Sequence, residues 1–164
     1  VHAAGQGAFA GLSRPVVVVG DLAVMQRAAG TCGLTFAWQQ ESQIPLASGE
    51  LVVSGRALPL RVTSRLDIAK QQYGQPDVRS GGAMADYITW ACDRCLANEA
   101  AGMVTAPINK QALQLAGVKF PGHTDYLARE LGGESLMFMV TDTLKVGLAT
   151  NGQLQQHRSH VQLG

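Results

Sequence analysis

The sequence has no long hydrophobic run and no excess of charge of either sign. Its longest uninterrupted apolar stretches, such as residues 16–19, hold four or five side chains, whereas a membrane-spanning helix needs about 20. Thirteen basic residues balance 12 acidic ones, which leaves a formal net charge of +1. We therefore expect no membrane partner and no nucleic-acid partner.

Charged residues and cysteines are also scarce. Only 15% of the residues are charged and 46% are apolar, a balance that excludes a disordered, highly charged chain. Three cysteines do not suggest a disulfide framework, and the first seven residues lack the basic and apolar regions of a secretory signal. A length of 164 residues suits one compact domain. We therefore expect a single-domain cytoplasmic protein.

The common nucleotide and hydrolase motifs are missing as well. The chain contains no G-x-G-x-x-G, no G-x-x-x-x-G-K-[ST] and no G-x-S-x-G, so neither a Rossmann fingerprint, a P-loop nor a nucleophile elbow is indicated. Asp21 follows a run of valines, as at the strand end of a nucleotide-binding unit, but without such a motif it is interpreted as a helix cap.

Two pairs of residues have the spacing of metal ligands. Cys92 and Cys95 have the spacing of a redox or zinc pair, but no second C-x-x-C follows, which favours thiols packed within a helix. His157 and His160 would share one face of a helix, but the surrounding glutamines favour a solvated tail. We therefore assign no metal ligand.

Apolar runs alternate with segments of helical period. Strands are predicted over residues 16–21, 34–38, 102–105, 136–140 and 144–149, and helices after residue 21, over 80–96 and 109–116, and after 122. Residues 39–75 contain several prolines and glycines and are interpreted as a surface excursion with short extended pieces at 51–53 and 58–62. The alternation predicts an α/β fold, a mostly parallel sheet flanked by helices.

The first candidate for ligand binding is the segment of residues 105–110, TAPINK. It follows a predicted strand and opens a predicted helix, which in an open α/β sheet is the edge where ligands bind. Lys110 places a full positive charge near the helix start, so a phosphate or carboxylate ligand is plausible. The alternative is that Thr105 caps the helix, Pro107 occupies its first turn and Lys110 is solvated.

The second candidate lies 13 residues further on, at residues 121–125, PGHTD. His123 has an ordinary pKa near 6.5, so it can donate to a phosphate or exchange a proton with a substrate hydroxyl. Thr124 can cap the helix or donate to an anion, although a histidine beside a cap is often structural. Because two helix starts with polar donors lie within 20 residues, we expect Lys110, His123 and Thr124 to face one ligand.

Together, residues 104–110 (VTAPINK) and 116–125 (AGVKFPGHTD) resemble the 4-hydroxythreonine-4-phosphate dehydrogenase family of vitamin B6 biosynthesis. Residues 17–21, 91–96 and 144–150 support the resemblance, which runs from about residue 15 to residue 150 and spans about the first half of a family member. It implies residues 1–150 as an α/β substrate-binding lobe, residues 151–164 as a polar tail outside the family pattern, and a second lobe that is absent. The implied fold is the two-lobed homodimer of isocitrate and isopropylmalate dehydrogenases, here truncated.

The resemblance also implies an activity. Family members oxidise a phosphorylated hydroxy amino acid with NAD and a divalent metal such as Zn, Mg or Co, and the β-keto acid product then loses carbon dioxide. His123 and Thr124 would bind the substrate and Lys110 would be a catalytic residue. The NAD-binding residues stay unassigned.

The sequence departs from the family pattern near its end. The first metal histidine of the family should fall two residues after Thr150, where this chain has Gly152, so no metal ligand is carried over. Two alternatives therefore stay open: a related enzyme that acts on threonate or erythronate 4-phosphate, and a phosphate-binding domain without catalysis.

Overall fold

A four-stranded mixed sheet forms one part of the protein. The computed structural model describes residues 3, 9, 11–120 and 122–148. The strands are β1 (Val18–Asp21), β2 (Phe36–Gln39), β3 (Gly49–Val53) and β4 (Arg56–Ser64), in the spatial order β1-β4-β3-β2. Only β1 and β4 are parallel, and the other two pairings are antiparallel. The prediction of a mostly parallel sheet is therefore wrong, because β2, β3 and β4 follow one another through short connections that reverse the chain.

Four helices and a separate hairpin complete the described chain. The helices are α1 (Leu22–Thr31), α2 (Val78–Leu96), α3 (Lys110–Leu115) and α4 (His123–Glu130). Strands β5 (Met137–Val140) and β6 (Lys145–Leu148) pair only with each other, in antiparallel fashion. None of the helices within the described ranges is long and apolar enough to cross a membrane.

The interpretation of residues 39–75 as a surface excursion is wrong, because β3 and β4 form the centre of the sheet. Leu51 and Leu60 are fully buried there. Ser54 and Gly55 both have positive φ, 48° and 76°, as in the two-residue turn that suits the twist of a hairpin. Pro59 lies opposite Glu50, just before the ladder with β1 begins at Leu60, so its missing N–H costs no bond to β1.

Short polar side chains determine where three of the helices begin. Asp21 accepts from the backbone N–H of Val24 at 3.1 Å and caps α1, as predicted. Asp77 and the Ser80 side chain form a reciprocal capping box at α2. Asn109 caps α3, so the alternative in which Thr105 caps this helix is wrong. Because Asn109 fills this position, Lys110 is the first residue of its helix.

Two apolar clusters hold these elements together. One lies between the sheet and α1 and is built around Leu51, Val53 and Leu58. The other joins α2 to α4 through Ile88, Cys92 and Tyr126. The second cluster fixes α4, and with it His123, against the longest helix of the protein.

The predicted strand over residues 102–105 is absent. This segment has no ladder partner among the described residues, and Val104 is completely exposed. An apolar, β-branched sequence forms a strand only when a neighbouring strand supplies hydrogen bonds, and none lies beside it here. The predicted tail over residues 151–164, with His157 and His160, lies outside the described residues.

Candidate functional site

A cavity of about 360 Å³ lies where the segment before α3 meets the start of α4. Lys110 and His123, two of the three residues singled out in the sequence, both line it. Thr105, Ala106 and Pro107 form its rim, while Val118, Phe120 and Tyr126 supply apolar wall. The two segments therefore face one hollow, as expected from their sequence patterns.

Lys110 brings positive charge to this cavity. Its side chain is exposed and takes part in no ion pair within the described ranges. The start of α3 contributes less positive partial charge than expected, because the Asn109 side chain already accepts a hydrogen bond from the backbone N–H of Ala112 at 3.0 Å. The positive character of this wall thus comes from the ammonium group of Lys110.

His123 is the first residue of α4, and its Nε2 atom is buried without a hydrogen-bond partner among the described residues. A buried polar atom without a hydrogen-bond partner is costly. Burial lowers the pKa of His123 below its ordinary value of 6.5, because desolvation disfavours the imidazolium form. The ring is therefore neutral at pH 7.

The start of α4 is open to a ligand. Its N-cap, Gly122, provides no side-chain hydrogen bond, so the amides of the first turn retain free donors. A carboxylate, that of Asp125, is also in this first turn, close to Gly122. Thr124 follows His123 in the same turn but does not line the cavity. The geometry thus brings Lys110 and His123 together and leaves Thr124 beside the cavity.

Tyr126 anchors this helix at the floor of the cavity. Its ring is 5% exposed and lies 5.1 Å from that of Phe120, centroid to centroid. Its hydroxyl is 3.0 Å from the Oγ1 atom of Thr89, which also donates to Glu130 at 3.2 Å. These bonds connect α4 to α2 and fix the orientation of its first turn. No sequence pattern around Tyr126 indicated that it lines a site.

A second, more open cleft of about 690 Å³ lies at the ends of β1 and β4. Asp21 lines it, but both of its carboxylate oxygens already accept hydrogen bonds from the protein. The carboxylate therefore holds the two strand ends together and is not free to bind a ligand.

The described residues do not fit a metal centre. No group of three or more His, Cys, Asp or Glu side chains in this part of the chain could hold a metal ion. All three cysteines are free, and Cys92 is buried with its thiol 3.6 Å from the Met103 sulfur. Burial raises the pKa of Cys92, so it is an unreactive core thiol, as the sequence indicated.

A cleft that joins a lysine, an unpaired histidine and an uncapped helix start is typical of proteins that bind small phosphorylated molecules. Comparison with known proteins identifies the family of the chain. The family model "Pyridoxal phosphate biosynthetic protein PdxA" matches residues 12–159. The chain therefore belongs to the PdxA family.

Curated relatives of this chain are named 4-hydroxythreonine-4-phosphate dehydrogenase. The chain is 37% identical over 142 residues to the 4-hydroxythreonine-4-phosphate dehydrogenase of Trichlorobacter lovleyi, covering 86% of this chain and 41% of that protein. It is 38% identical over 135 residues to the enzyme of that name from Geobacter metallireducens, covering 82% and 39% respectively. The chain thus spans about two fifths of the length of the relatives it matches.

A solved structure supports the fold. The crystal structure of a 4-hydroxythreonine-4-phosphate dehydrogenase from Burkholderia phymatum matches with a TM-score of 0.65 at 24% identity. The match covers 89% of this chain and 43% of that one. At this identity the match shows the shared α/β fold alone.

Proposed function

We propose that this chain forms the phosphate-binding part of an NAD-dependent 4-hydroxythreonine-4-phosphate dehydrogenase of vitamin B6 biosynthesis. The observation that carries the proposal is the shared cavity, which Lys110 and His123 both line. Family membership and the name of the relatives supply the substrate class. On the same grounds we extend the proposal to a two-lobed, isocitrate dehydrogenase-like homodimer located in the cytoplasm.

In this proposal, the residues of this chain bind and orient the substrate. Lys110 attracts the phosphate by charge, and the first-turn amides of α4 donate hydrogen bonds to it. His123 donates to a phosphate oxygen or to the substrate hydroxyl, and Thr124 adds a donor if the substrate reaches beyond the cavity. NAD, when bound, would accept the hydride from the hydroxyl-bearing carbon. The described residues do not fit the divalent metal implied by the family.

Substitutions of Lys110 and of a lysine outside the cavity distinguish a specific binding site from an effect of net charge. We expect Lys110→Ala and His123→Ala each to weaken binding of 4-phosphohydroxy-L-threonine about tenfold or more, because the first removes a charge and the second a hydrogen-bond donor from the cavity. Isothermal titration calorimetry measures the affinity. Lys119→Ala is the matched control, since Lys119 is also exposed but does not line the cavity.

Equal losses for Lys110→Ala and Lys119→Ala would contradict the proposed site, because the effect would then come from net charge alone. Strong binding of inorganic phosphate without discrimination for the hydroxy amino acid would instead favour the non-catalytic phosphate-binding domain.

A pH prediction follows from the lowered pKa of His123. Inorganic sulfate remains a dianion across the neutral range, so only the protein titrates. We expect its affinity to rise as the pH falls from 7.5 to about 5.5, because protonation of His123 adds a charge-assisted hydrogen bond. His123→Gln should flatten this dependence, and equal slopes for the two proteins would exclude His123 as the group responsible.

The lowered pKa of His123 also affects the stability of the fold. Stability should fall as the pH falls, whereas the affinity for sulfate should rise. The unfolded histidine binds a proton near pH 6.5, while the folded one does so only at lower pH. In the absence of ligand, the contribution of His123 to stability is therefore present above pH 6.5 and is lost as the pH falls toward the folded pKa.

A further inference from the structure

The cavity that Lys110 and His123 line is largely apolar. Most of its wall comes from aliphatic and aromatic side chains, those of Ile108, Leu113, Val118, Phe120 and Tyr126. A hydrophilic group gains little from such a wall, because burying it without a hydrogen bond costs free energy. Lys110 and His123 therefore account for only part of a ligand, and the wall favours an apolar group for the rest.

The charge of the lining also bears on the choice of ligand. Among the described residues, none that lines the cavity carries a carboxylate. An ammonium group that entered the cavity would lose water without meeting an opposite charge, which is costly. An aromatic ring is weakly hydrated and gains free energy when apolar walls replace water around it. The lining therefore favours a phosphate ester with an uncharged, apolar body.

Phe120 provides a flat wall for such a body. The Arg129 guanidinium lies over its ring, 4.9 Å from the centroid, and the Tyr126 ring is tilted by 41° to it at 5.1 Å. These two contacts hold the Phe120 ring in place. Arg129 does not line the cavity, so it adds no charge there. Since aromatic rings pair in tilted or offset stacks, a ligand ring can extend the Phe120–Tyr126 pair.

We propose that this cavity binds phosphate monoesters of planar aromatic rings, which compete there with 4-phosphohydroxy-L-threonine. The phosphate pairs with Lys110, and the ring packs against the Phe120 wall. A volume of about 360 Å³ lies at the lower end of the range for small-molecule sites, which suits one ring with its phosphate. The inference rests on the proposed function for the phosphate contact and adds a class of inhibitor to it.

Isothermal titration calorimetry with methyl, benzyl and cyclohexylmethyl phosphate tests the proposal, because the three esters differ only in their body. We expect benzyl phosphate to bind about tenfold or more tightly than methyl phosphate, to exceed cyclohexylmethyl phosphate, and to be displaced by 4-phosphohydroxy-L-threonine. Equal affinities of the benzyl and methyl esters would overturn the proposal and leave the phosphate site standing. Binding of none of the esters would contradict the proposed function as well.

Two further outcomes would also overturn the proposal. If cyclohexylmethyl phosphate bound as tightly as benzyl phosphate, the wall would select apolar bulk and not a planar ring. If benzyl phosphate bound but was not displaced by 4-phosphohydroxy-L-threonine, its site would lie outside this cavity.

A pair of matched variants locates the effect in the apolar wall. Val118→Thr places a hydroxyl in the wall and should lower the ratio of benzyl to methyl phosphate affinity by about threefold or more. Val104→Thr is the same substitution at a completely exposed residue that does not line the cavity, and it should retain the ratio. The ratio is independent of the fraction of folded protein, so partial unfolding cannot imitate the result. A ratio changed equally by both variants, or by neither, would overturn the proposal.

Discussion

Replacing Gly81 by alanine is expected to lower the free energy of unfolding by about 3 kcal/mol. Gly81 lies in α2 where the helix passes against α3, and a Cβ atom built there would collide with the backbone oxygen of Ala112. Backbone cannot yield as a flexible side chain can, so the two helices must move apart. Chemical denaturation of the wild-type protein and the variant measures the change.

The adjacent residue provides an unusually close control. Gly82 lies in the same helix with nothing within 4 Å of its added Cβ, so Gly82→Ala should stabilise the protein by about 0.5–1 kcal/mol, since alanine is the better helix former. Opposite signs at two consecutive glycines would show that contact, not helix propensity, sets the effect. If Gly81→Ala were as harmless as Gly82→Ala, the close approach of α2 to α3 would be wrong.

The close contact between α2 and α3 at Gly81 also affects the position of Lys110 in the candidate site. The α3 helix begins with Lys110, and its buried residues Ala112 and Leu113 face inward. A displacement of α3 would move the ammonium group away from His123, which is held by α4. We therefore expect Gly81→Ala to weaken phosphate binding as well, although Gly81 does not line the cavity.

The cavity was predictable in part, because its polar members obey local rules. Lys110 and His123 both follow short breaks at which helices begin, and helix starts attract anions. Thr105 and Asn109 were harder to tell apart as caps, since both residue types accept hydrogen bonds from a helix N-terminus. The apolar wall formed by Val118, Phe120 and Tyr126 depends on how α4 packs against α2, which no local pattern specifies.

The sheet was harder to predict than the site. Pro59 and Gly49 favoured a loop, yet both lie in central strands. The Ser54–Gly55 turn between two apolar runs was the available signal for the β3–β4 hairpin. Gly49 is required for a reason invisible in the sequence, because the Trp38 ring lies within 2.7 Å of where its Cβ would be. Mixed sheets arise from such tertiary choices, and alternation of strands and helices alone does not reveal them.

Asp21→Asn is expected to lower the free energy of unfolding by about 3 kcal/mol. Asp21 is 3% exposed, and its Oδ1 atom accepts from the Val24 N–H at 3.1 Å. Its Oδ2 atom accepts from the Ser64 hydroxyl at 2.9 Å and from the Leu66 N–H at 2.6 Å. Every partner is a donor, so the amide group of asparagine must direct its own N–H groups at another donor, and one bond or more is lost.

The loss of stability should spread beyond α1, because the Asp21 carboxylate joins the ends of β1 and β4. Ser64 in turn contacts the Tyr87 hydroxyl on α2 at 2.5 Å. Asp93→Asn removes the same charge from an exposed position in α2 and should leave the denaturation midpoint unchanged. Hydrogen exchange would then show faster opening of β1 and β4 in the Asp21 variant alone. If Asp21→Asn were tolerated as well as Asp93→Asn, the carboxylate would act only as a helix cap, and the sheet would owe its stability to the Leu51 cluster without this connection.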